Sequence, residues 1–381
     1  MSVEEQQVSH GRATPAVEPN LRAGAASGPA SATAHGPSST LLAVAGLSVV
    51  QPQVAPQPFA ARWFRAWEGD LHRQAVRKTG RRHWDLTRFG VDGEPQESKL
   101  GYRETLAAVG LAAKQALAAA DARCGRRGVR ERLALLYFDF WGQCAHLEQA
   151  FNWRDGFDLD VIPKFLLRDH GVDGYSCKLQ AGRAAFVQGL RAAGELLHGG
   201  DIDRVLLGGV FRFYPALGFS EAIGNVERER RWLGRGGQHN APIVERAGFV
   251  VLTRAQAAAG AKTAPVLIGA PQYLALPARR AAASAALSTA WSALLPESRG
   301  RVYGGLYPSS LLADMENAAA ASQGDELLYE NICRRFGDSG GINPLLALQR
   351  YAERKAGADQ ALPALLSLSD SSGGTWLARC E

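Results

Sequence analysis

Apolar residues are grouped along this chain in runs whose period changes from element to element. Positions 41–50, Leu-Leu-Ala-Val-Ala-Gly-Leu-Ser-Val-Val, form an apolar run of strand length closed by Gln51-Pro52, which predicts a first buried strand. Over 101–120, Leu106, Val109, Ala113 and Leu117 fall on one face at helical spacing and predict a helix. A buried strand is expected at 132–139. In 181–197 the polar residues Gln188, Arg191 and Glu195 make one narrow stripe, the mark of a helix buried on most of its surface. Strands 204–211 and 248–253 follow. Beyond them the pattern predicts a strand at 265–276, a helix at 279–295, a strand at 301–307, helices near 326–336 and 344–355, and strands at 363–369 and 375–379.

The same grammar is therefore written twice. Strand, helix, strand, helix and two further strands occur once before residue 255 and again after it, without evident identity between the copies. This order predicts an α/β protein with layered helices and sheets, built as two similar halves, 41–255 and 256–381. Residues 1–40 are rich in Ala, Ser, Gly and Pro with few large apolar side chains, and are expected to form a disordered tail. The run 41–50 is too short to span a bilayer and lacks the basic flank of a secretory signal, so a cytoplasmic protein without a membrane segment is expected.

Charge adds a bias toward particular partners. The net charge of +6 comes almost wholly from arginine, since lysine stands at only seven positions, and arginine suits acidic or phosphorylated groups. The most basic stretch, 72–84, carries Arg73, Arg77, Lys78, Arg81, Arg82 and His83 beside Trp84. It reads as a solvated helix face, as an internal phosphate or carboxylate clamp, or as a docking surface for an acidic carrier protein through Arg77, Arg81 and Arg82. No DNA- or RNA-binding motif accompanies it, so nucleic acid is not an expected partner.

Candidate chemistry is sparse. The five cysteines, Cys124, Cys144, Cys177, Cys333 and Cys380, are odd in number and widely spaced, which favours reduced thiols over disulfides or a zinc site. Asp158, Asp160 and Asp169 match no metal signature and read as helix or turn caps. Gly234-Arg235-Gly236-Gly237 lacks the Lys-Ser/Thr of a phosphate loop and the setting of a dinucleotide loop. No cofactor and no metal are expected. The aromatics Tyr137, Phe138, Phe140, Trp141, Phe151 and Trp153 read either as the lining of an acyl or aryl tunnel or as core and dimer interface.

Several stretches together resemble one family. Residues 42–50 resemble the first strand of the thiolase superfamily, and within it of the ketosynthases of fatty-acid and polyketide synthesis. Gly200-Asp201-Ile202-Asp203-Arg204-Val205-Leu206-Leu207-Gly208-Gly209 resembles the family's strand ending in Gly-Gly. Val244-Glu245-Arg246-Ala247-Gly248 resembles its Gly-Glu-Gly-Ala-Gly strand, with Val244 and Arg246 in place of two glycines.

The resemblance implies a thiolase-like fold and a three-residue centre. A cysteine at the start of the central buried helix carries the acyl chain, and two histidines from the second half act on the incoming nucleophile. A helix N-terminus lowers a thiol's pKa, and histidine donates hydrogen bonds to developing negative charge. Here the implied nucleophile position falls at Gln180 or Ala181. Gln180-Ala181-Gly182 resembles the run that chain-length factors carry in place of the cysteine. In Tyr303-Gly304-Gly305-Leu306-Tyr307-Pro308 the first histidine's place holds Gly305 or Leu306, and in Phe336-Gly337-Asp338-Ser339-Gly340-Gly341 the second holds Asp338. No histidine occurs after His239, whatever the alignment.

The implied role is a non-condensing subunit resembling a chain-length factor, paired with an active ketosynthase as a heterodimer. The rival is a β-ketoacyl synthase variant or acyltransferase, alone as a homodimer, acting on acyl chains held by acyl carrier protein or coenzyme A. It would use Cys177 as nucleophile, with His170, His146 or His239 as base. A third reading is a carrier- or ligand-binding module that keeps the fold without catalysis.

Overall fold

The computed structural model describes residues 41–58, 66–81, 84–90, 103–124, 131–140, 162–258, 264–295, 299–325, 327–357 and 362–381. The tail 1–40, Arg82, His146, Cys144, Trp141, Phe151, Trp153, Asp158 and Asp160 lie outside them.

The first half opens with β1 (Leu42–Val50), β2 (Gln57–Pro58), α1 (Ala66–Thr79), β3 (Asp85–Thr87), α2 (Arg103–Cys124) and β4 (Leu133–Asp139). Then come α3 (Lys164–Asp169), β5 (Ser176–Leu179), a 3-10 turn Gly182–Ala184 running into α4 (Ala185–His198), β6 (Arg204–Phe211), α5 (Pro215–Leu233), β7 (Ile243–Val244) and β8 (Arg246–Arg254). The second half holds β9 (Val266–Ile268), β10 (Gln272–Ala275), α6 (Arg280–Leu294), β11 (Gly300–Gly304), α7 (Ser310–Ala321) and β12 (Leu327–Asn331). It ends with α8 (Ile332–Phe336), a 3-10 turn Gly340–Ile342 running into α9 (Asn343–Ala356), β13 (Ala364–Ser369) and β14 (Gly374–Cys380).

Strand order displays the internal repeat. The main sheet runs β12-β11-β13-β14-β9-β1-β8-β6-β4-β5. Read outward from the β1·β9 junction, the first half is β1-β8-β6-β4-β5 and the second β9-β14-β13-β11-β12. Both have the order first, fifth, fourth, second, third in chain sequence. Pair directions also agree: β1·β8 and β8·β6 are antiparallel and β6·β4 and β4·β5 parallel, as are their counterparts β9·β14, β14·β13, β13·β11 and β11·β12.

The layers follow from alternation along each strand. In β4, Leu133, Leu135 and Tyr137 face the cluster under α2, whereas Ala134, Leu136 and Phe138 face the central cluster with α4. In β13, Ala364, Leu366 and Leu368 join that same central cluster and Leu365 packs outward under α6 and α7. So α4 and α9 lie between the halves, covered on both sides by sheet. Strands buried on both faces need close backbone approach where they meet helices and neighbours. A Cβ on Gly209 would stand 1.6 Å from the Phe138 carbonyl oxygen, which explains glycine at the end of the Gly208-Gly209 strand.

Three expectations are corrected. The strand expected at 265–276 is two strands, because Pro271 cannot donate to a ladder and the chain steps there from β1 and the end of β14 to a different stretch of β14. The helix expected near 326–336 is β12 followed by the short α8. Leu327 to Asn331 pair in parallel with β11, and that pairing overrides the helical reading of the short apolar run. The strand expected at 301–307 ends at Gly304, since Gly305 takes φ +57° and turns the chain. The helices α5, which supplies Glu221 to the centre, and α7, whose Glu316 accepts from the Gly305 N–H, were not among the expected elements.

Candidate functional site

The two 3-10 turns meet at the heart of the molecule. Gly182 (φ +51°) and Gly340 (φ +55°) each set a left-handed residue ahead of a central helix, and a Cβ on Gly341 would come within 3.0 Å of the Gly182 carbonyl oxygen. These turns pack against each other, so that the starts of α4 and α9 meet at one polar centre.

Arg183, in the first turn, is the side chain that fills this centre. Its Nη1 and Nη2 donate to Oδ1 and Oδ2 of Asp338 at 2.7 and 2.8 Å, a bidentate pair, and its Nε donates to Oε1 of Glu221 on α5 at 2.9 Å. The guanidinium also lies 4.8 Å from the Tyr307 ring centroid and 5.2 Å from that of Phe140. The side chains of Arg183 and Asp338 are only 10% and 7% exposed. Burial alone would push the Asp338 carboxyl up. The Arg183 charge and hydrogen bonds, with those from the Gly340 N–H and Asn343, outweigh it and hold Asp338 below the usual aspartate range. Burial likewise pulls down on Arg183, but Asp338 and Glu221 raise it well above its ordinary value.

A second ring of contacts fixes Asp338. Asn343 Nδ2, at the start of α9, donates to Asp338 Oδ1 at 2.8 Å and to the Leu306 carbonyl at 3.0 Å, so it ties the two sites that the resemblance assigns to histidine. Ser339 Oγ donates to the Val244 carbonyl at 2.6 Å and accepts from Arg246 Nη1 at 2.6 Å. Arg246 is pushed down to about 10 by burial, against the pull of Cys333 and Asp338. Cys333, buried on α8, has its thiol raised well above the ordinary value by burial and by Asp338. Neither Ser339 nor Cys333 is therefore an activated nucleophile.

The positions singled out in the sequence are dispersed. Gln180 is exposed, and both it and Ala181 precede the turn, so the residue at the start of the central helix that reaches the centre is Arg183. Gly305 donates its N–H to Glu316 Oε2 at 2.7 Å, and a Cβ there would lie 2.2 Å from the Asn331 side chain. Leu306 is packed in the central core. Cys177 does not stand at the helix start. It is fixed within β5 opposite Leu136, and its side-chain hydrogen bond with the Tyr175 hydroxyl raises the Tyr175 pKa. His170 caps the end of α3, its pKa lowered by burial against the pull of Asp169. His239 lies 3.5 Å from Glu229 and edge-on to Tyr307. Of the carrier-docking trio, Arg77 is exposed, but Arg81 turns inward and is only 7% exposed, so it cannot form part of a surface.

Sequence reading missed Arg183, Glu221 and Asn343. The signal that could have found them was a lone arginine on the threshold of the mostly apolar central helix, since a buried cation demands carboxylate partners. Beside the centre, a pocket of about 720 Å³ is lined by Tyr307, Ser309, Asn331, Cys333 and Arg334 at the carboxyl ends of β11 and β12. Among the described residues, no group of three or more His, Cys, Asp or Glu side chains is placed to hold a metal ion, and no helix is long and apolar enough to cross a membrane.

No protein-family model matches the sequence, and a search of curated proteins finds no match. Solved structures do match. A variant of Xanthomonas campestris OleA with cerulenin aligns at a TM-score of 0.53 and 14% identity, covering 89% of this chain and 96% of that one. The complex AntDE:AntF, a type II polyketide synthase acyl-carrier protein with its ketosynthase bound to the hexaketide, aligns at a TM-score of 0.59 and 12% identity over 90% of this chain and 99% of that one. With the repeated strand order and the paired central helices, these likenesses establish that the chain has the α/β fold of the thiolase-like ketosynthases.

Proposed function

We propose that this chain is a non-condensing, ketosynthase-like subunit, similar to a chain-length factor, that pairs with an active ketosynthase in polyketide or fatty-acid-type biosynthesis. The observation that carries the reading is the Arg183–Asp338–Glu221 cluster. At the start of the central helix, where condensation needs a thiolate, stands a cation held by two carboxylates. A guanidinium has no lone pair for acyl transfer and does not deprotonate in proteins. Asp338, held ionised by Arg183, repels developing negative charge where a condensing enzyme supplies hydrogen-bond donors. Asn343 is committed to Asp338 and Leu306. The centre is built as a closed ion-pair network, and such a network keeps the two central helices in register without reacting.

In this role the partners are a ketosynthase carrying the cysteine and both histidines and, through it, an acyl carrier protein. The ketosynthase and carrier protein of the AntDE:AntF complex support that kind of partner. Intact-mass spectrometry of the purified chain after incubation with acyl-carrier-protein and acyl-coenzyme A donors tests the absence of an acyl-enzyme. No acyl mass is expected. An adduct on the wild type that vanishes in Cys177→Ala would overturn the reading in favour of the acyltransferase alternative. Co-expression with a ketosynthase encoded beside it should yield a heterodimer. Homodimers alone would count against it.

A further inference from the structure

Glu330, on the strand β12 at one end of the main sheet, is met by more cations than one carboxylate can answer. Arg335 Nη1, in the last turn of α8, donates to its Oε1 at 2.7 Å, and Arg354 Nη2, in the last turn of α9, donates to its Oε2 at 3.0 Å. Arg301 of β11 faces the same side of the sheet, since it stands two residues before Tyr303, the register partner of Glu330. Its Nη1 comes only to 3.6 Å from Oε2, too far for a hydrogen bond, and among the described residues its side chain makes none. Each guanidinium carries five N–H donors, whereas one carboxylate offers about four lone-pair sites. Three cations on one anion leave a net charge of +2. Glu353, one residue before Arg354, does not reduce it, because Arg350 meets it at 2.5 Å. Burial lowers the Arg301 pKa, repulsion by Arg354 and Arg335 lowers it further, and Tyr303 and Glu330 pull against them. The side chains of Arg301, Arg354 and Arg335 are 20%, 39% and 50% exposed, so the cluster is open to solvent on one side.

We propose that Arg301, Arg335 and Arg354 form a binding site for a phosphate group, with Glu330 holding the three guanidiniums together when the site is empty. The net charge of +2 matches a phosphate dianion, and the planar forks of arginine pair with its oxygens in a way that a chloride ion cannot reproduce. Arg301 is the side chain with the most to gain, being drawn into the cluster without a hydrogen bond of its own. The group arrives either as inorganic phosphate or on a phosphate monoester. Glu330 and Arg335 also line the 720 Å³ pocket, which leaves room for the organic part of a monoester. Arg334 lines the same pocket and adds a further cation, while Asp314, the other carboxylate there, is met by Arg280 at 3.5 Å. The site needs no ketosynthase partner and no acyl transfer, so it stands or falls separately from the role proposed above.

The test is calorimetric titration and thermal melting of the full chain with sodium phosphate, glycerol phosphate and sodium chloride at constant ionic strength, at about pH 8, where the phosphate group is a dianion. Phosphate and glycerol phosphate should bind saturably and raise the melting temperature, and chloride should not. Tighter binding of glycerol phosphate assigns the site to a monoester, and tighter binding of inorganic phosphate assigns it to the free ion. Arg301→Gln removes a charge that makes no hydrogen bond and is repelled by its neighbours, so its melting temperature without phosphate should hold or rise. Its phosphate binding should weaken about ten- to hundredfold. Arg73→Gln, at an exposed arginine of α1 outside the cluster, should bind as wild type. Absence of saturable phosphate binding would overturn the proposal. So would chloride binding as well as phosphate, Arg301→Gln binding phosphate as tightly as wild type, or Arg73→Gln weakening it as much as Arg301→Gln.

Discussion

Replacing Arg183 by methionine measures the ion pair at the centre of the molecule most directly. The substitution keeps most of the length of the side chain and removes the guanidinium. Among the described residues Asp338 then retains the Gly340 N–H at 3.0 Å, Asn343 Nδ2 at 2.8 Å and the weak Cys333 Sγ donor at 4.0 Å, with its side chain 7% exposed, while Glu221, 22% exposed, can turn to water. Leaving one buried charge uncompensated costs about 3–5 kcal/mol. Asp338→Asn removes the opposite charge but leaves Arg183 its two bonds to Glu221, so its cost should be smaller, about 1.5–3 kcal/mol for the charged hydrogen bonds lost. The double variant should be less destabilised than the sum of the two, because each single change already breaks the shared interaction. Urea unfolding followed by the shift in midpoint at unchanged slope gives these differences. The pair also sets an acid limit. Asp338 is depressed in the folded state below its usual 3.8, so its contribution is complete above that pH and is lost as pH falls through the folded value. Asp338→Asn should lack this loss. An Arg183→Met protein within about 1 kcal/mol of wild type would refute the view that the centre is held by a buried, dehydrated ion pair.

Two further outcomes follow from buried groups near the site. Glu316 is raised above 4.5 by burial, in spite of its bonds from Tyr329, Gly305 and Ser369, so the folded state holds its proton longer than the unfolded chain. Stability should therefore fall as pH rises from 4.5 through the folded value, and Glu316→Gln should flatten that slope in thermal melts recorded across the window. Cys333 is raised well above its usual value and Cys380 to about 12, both mainly by burial, so iodoacetamide at about pH 8 should leave both unlabelled in the folded chain and label both once it is unfolded, as read by peptide mass spectrometry.

Much of the fold was legible because burial writes itself into hydrophobic period. The strands 204–211 and 363–369 and the helix 279–295 fall where the pattern puts them, within a residue or two at each end. The failures have a common cause. Leu327-Leu328-Tyr329-Glu330-Asn331 is too short for period to separate helix from strand, and only the ladder with β11 decides it. Helix α5 is amphipathic in an unusual sense. Two of its charged residues, Glu221 and Glu229, are drawn inward, to Arg183 and to the Gly237 N–H, while Arg228, Arg230 and Arg231 are exposed, so polarity alone does not mark its solvent face. The site was half legible in the same way. Gln180, Ala181 and Asp338 were visible as departures from a family pattern, but nothing local says that Asp338 would meet Arg183 from 155 residues away.

The sequence by itself determined the alternation of strands and helices, the repeated grammar of two halves and the absence of histidine beyond His239, since these depend on local period and composition. Tertiary structure alone decided what occupies the centre. Gly182 and Gly340 turn two helices toward each other, and the long-range ion pair then selects Arg183, not Gln180 or Cys177, as the group that meets Asp338. The same packing turns Arg81 away from the surface and against Trp84. A buried charge is stable only where its partners converge, and convergence is a property of the folded chain.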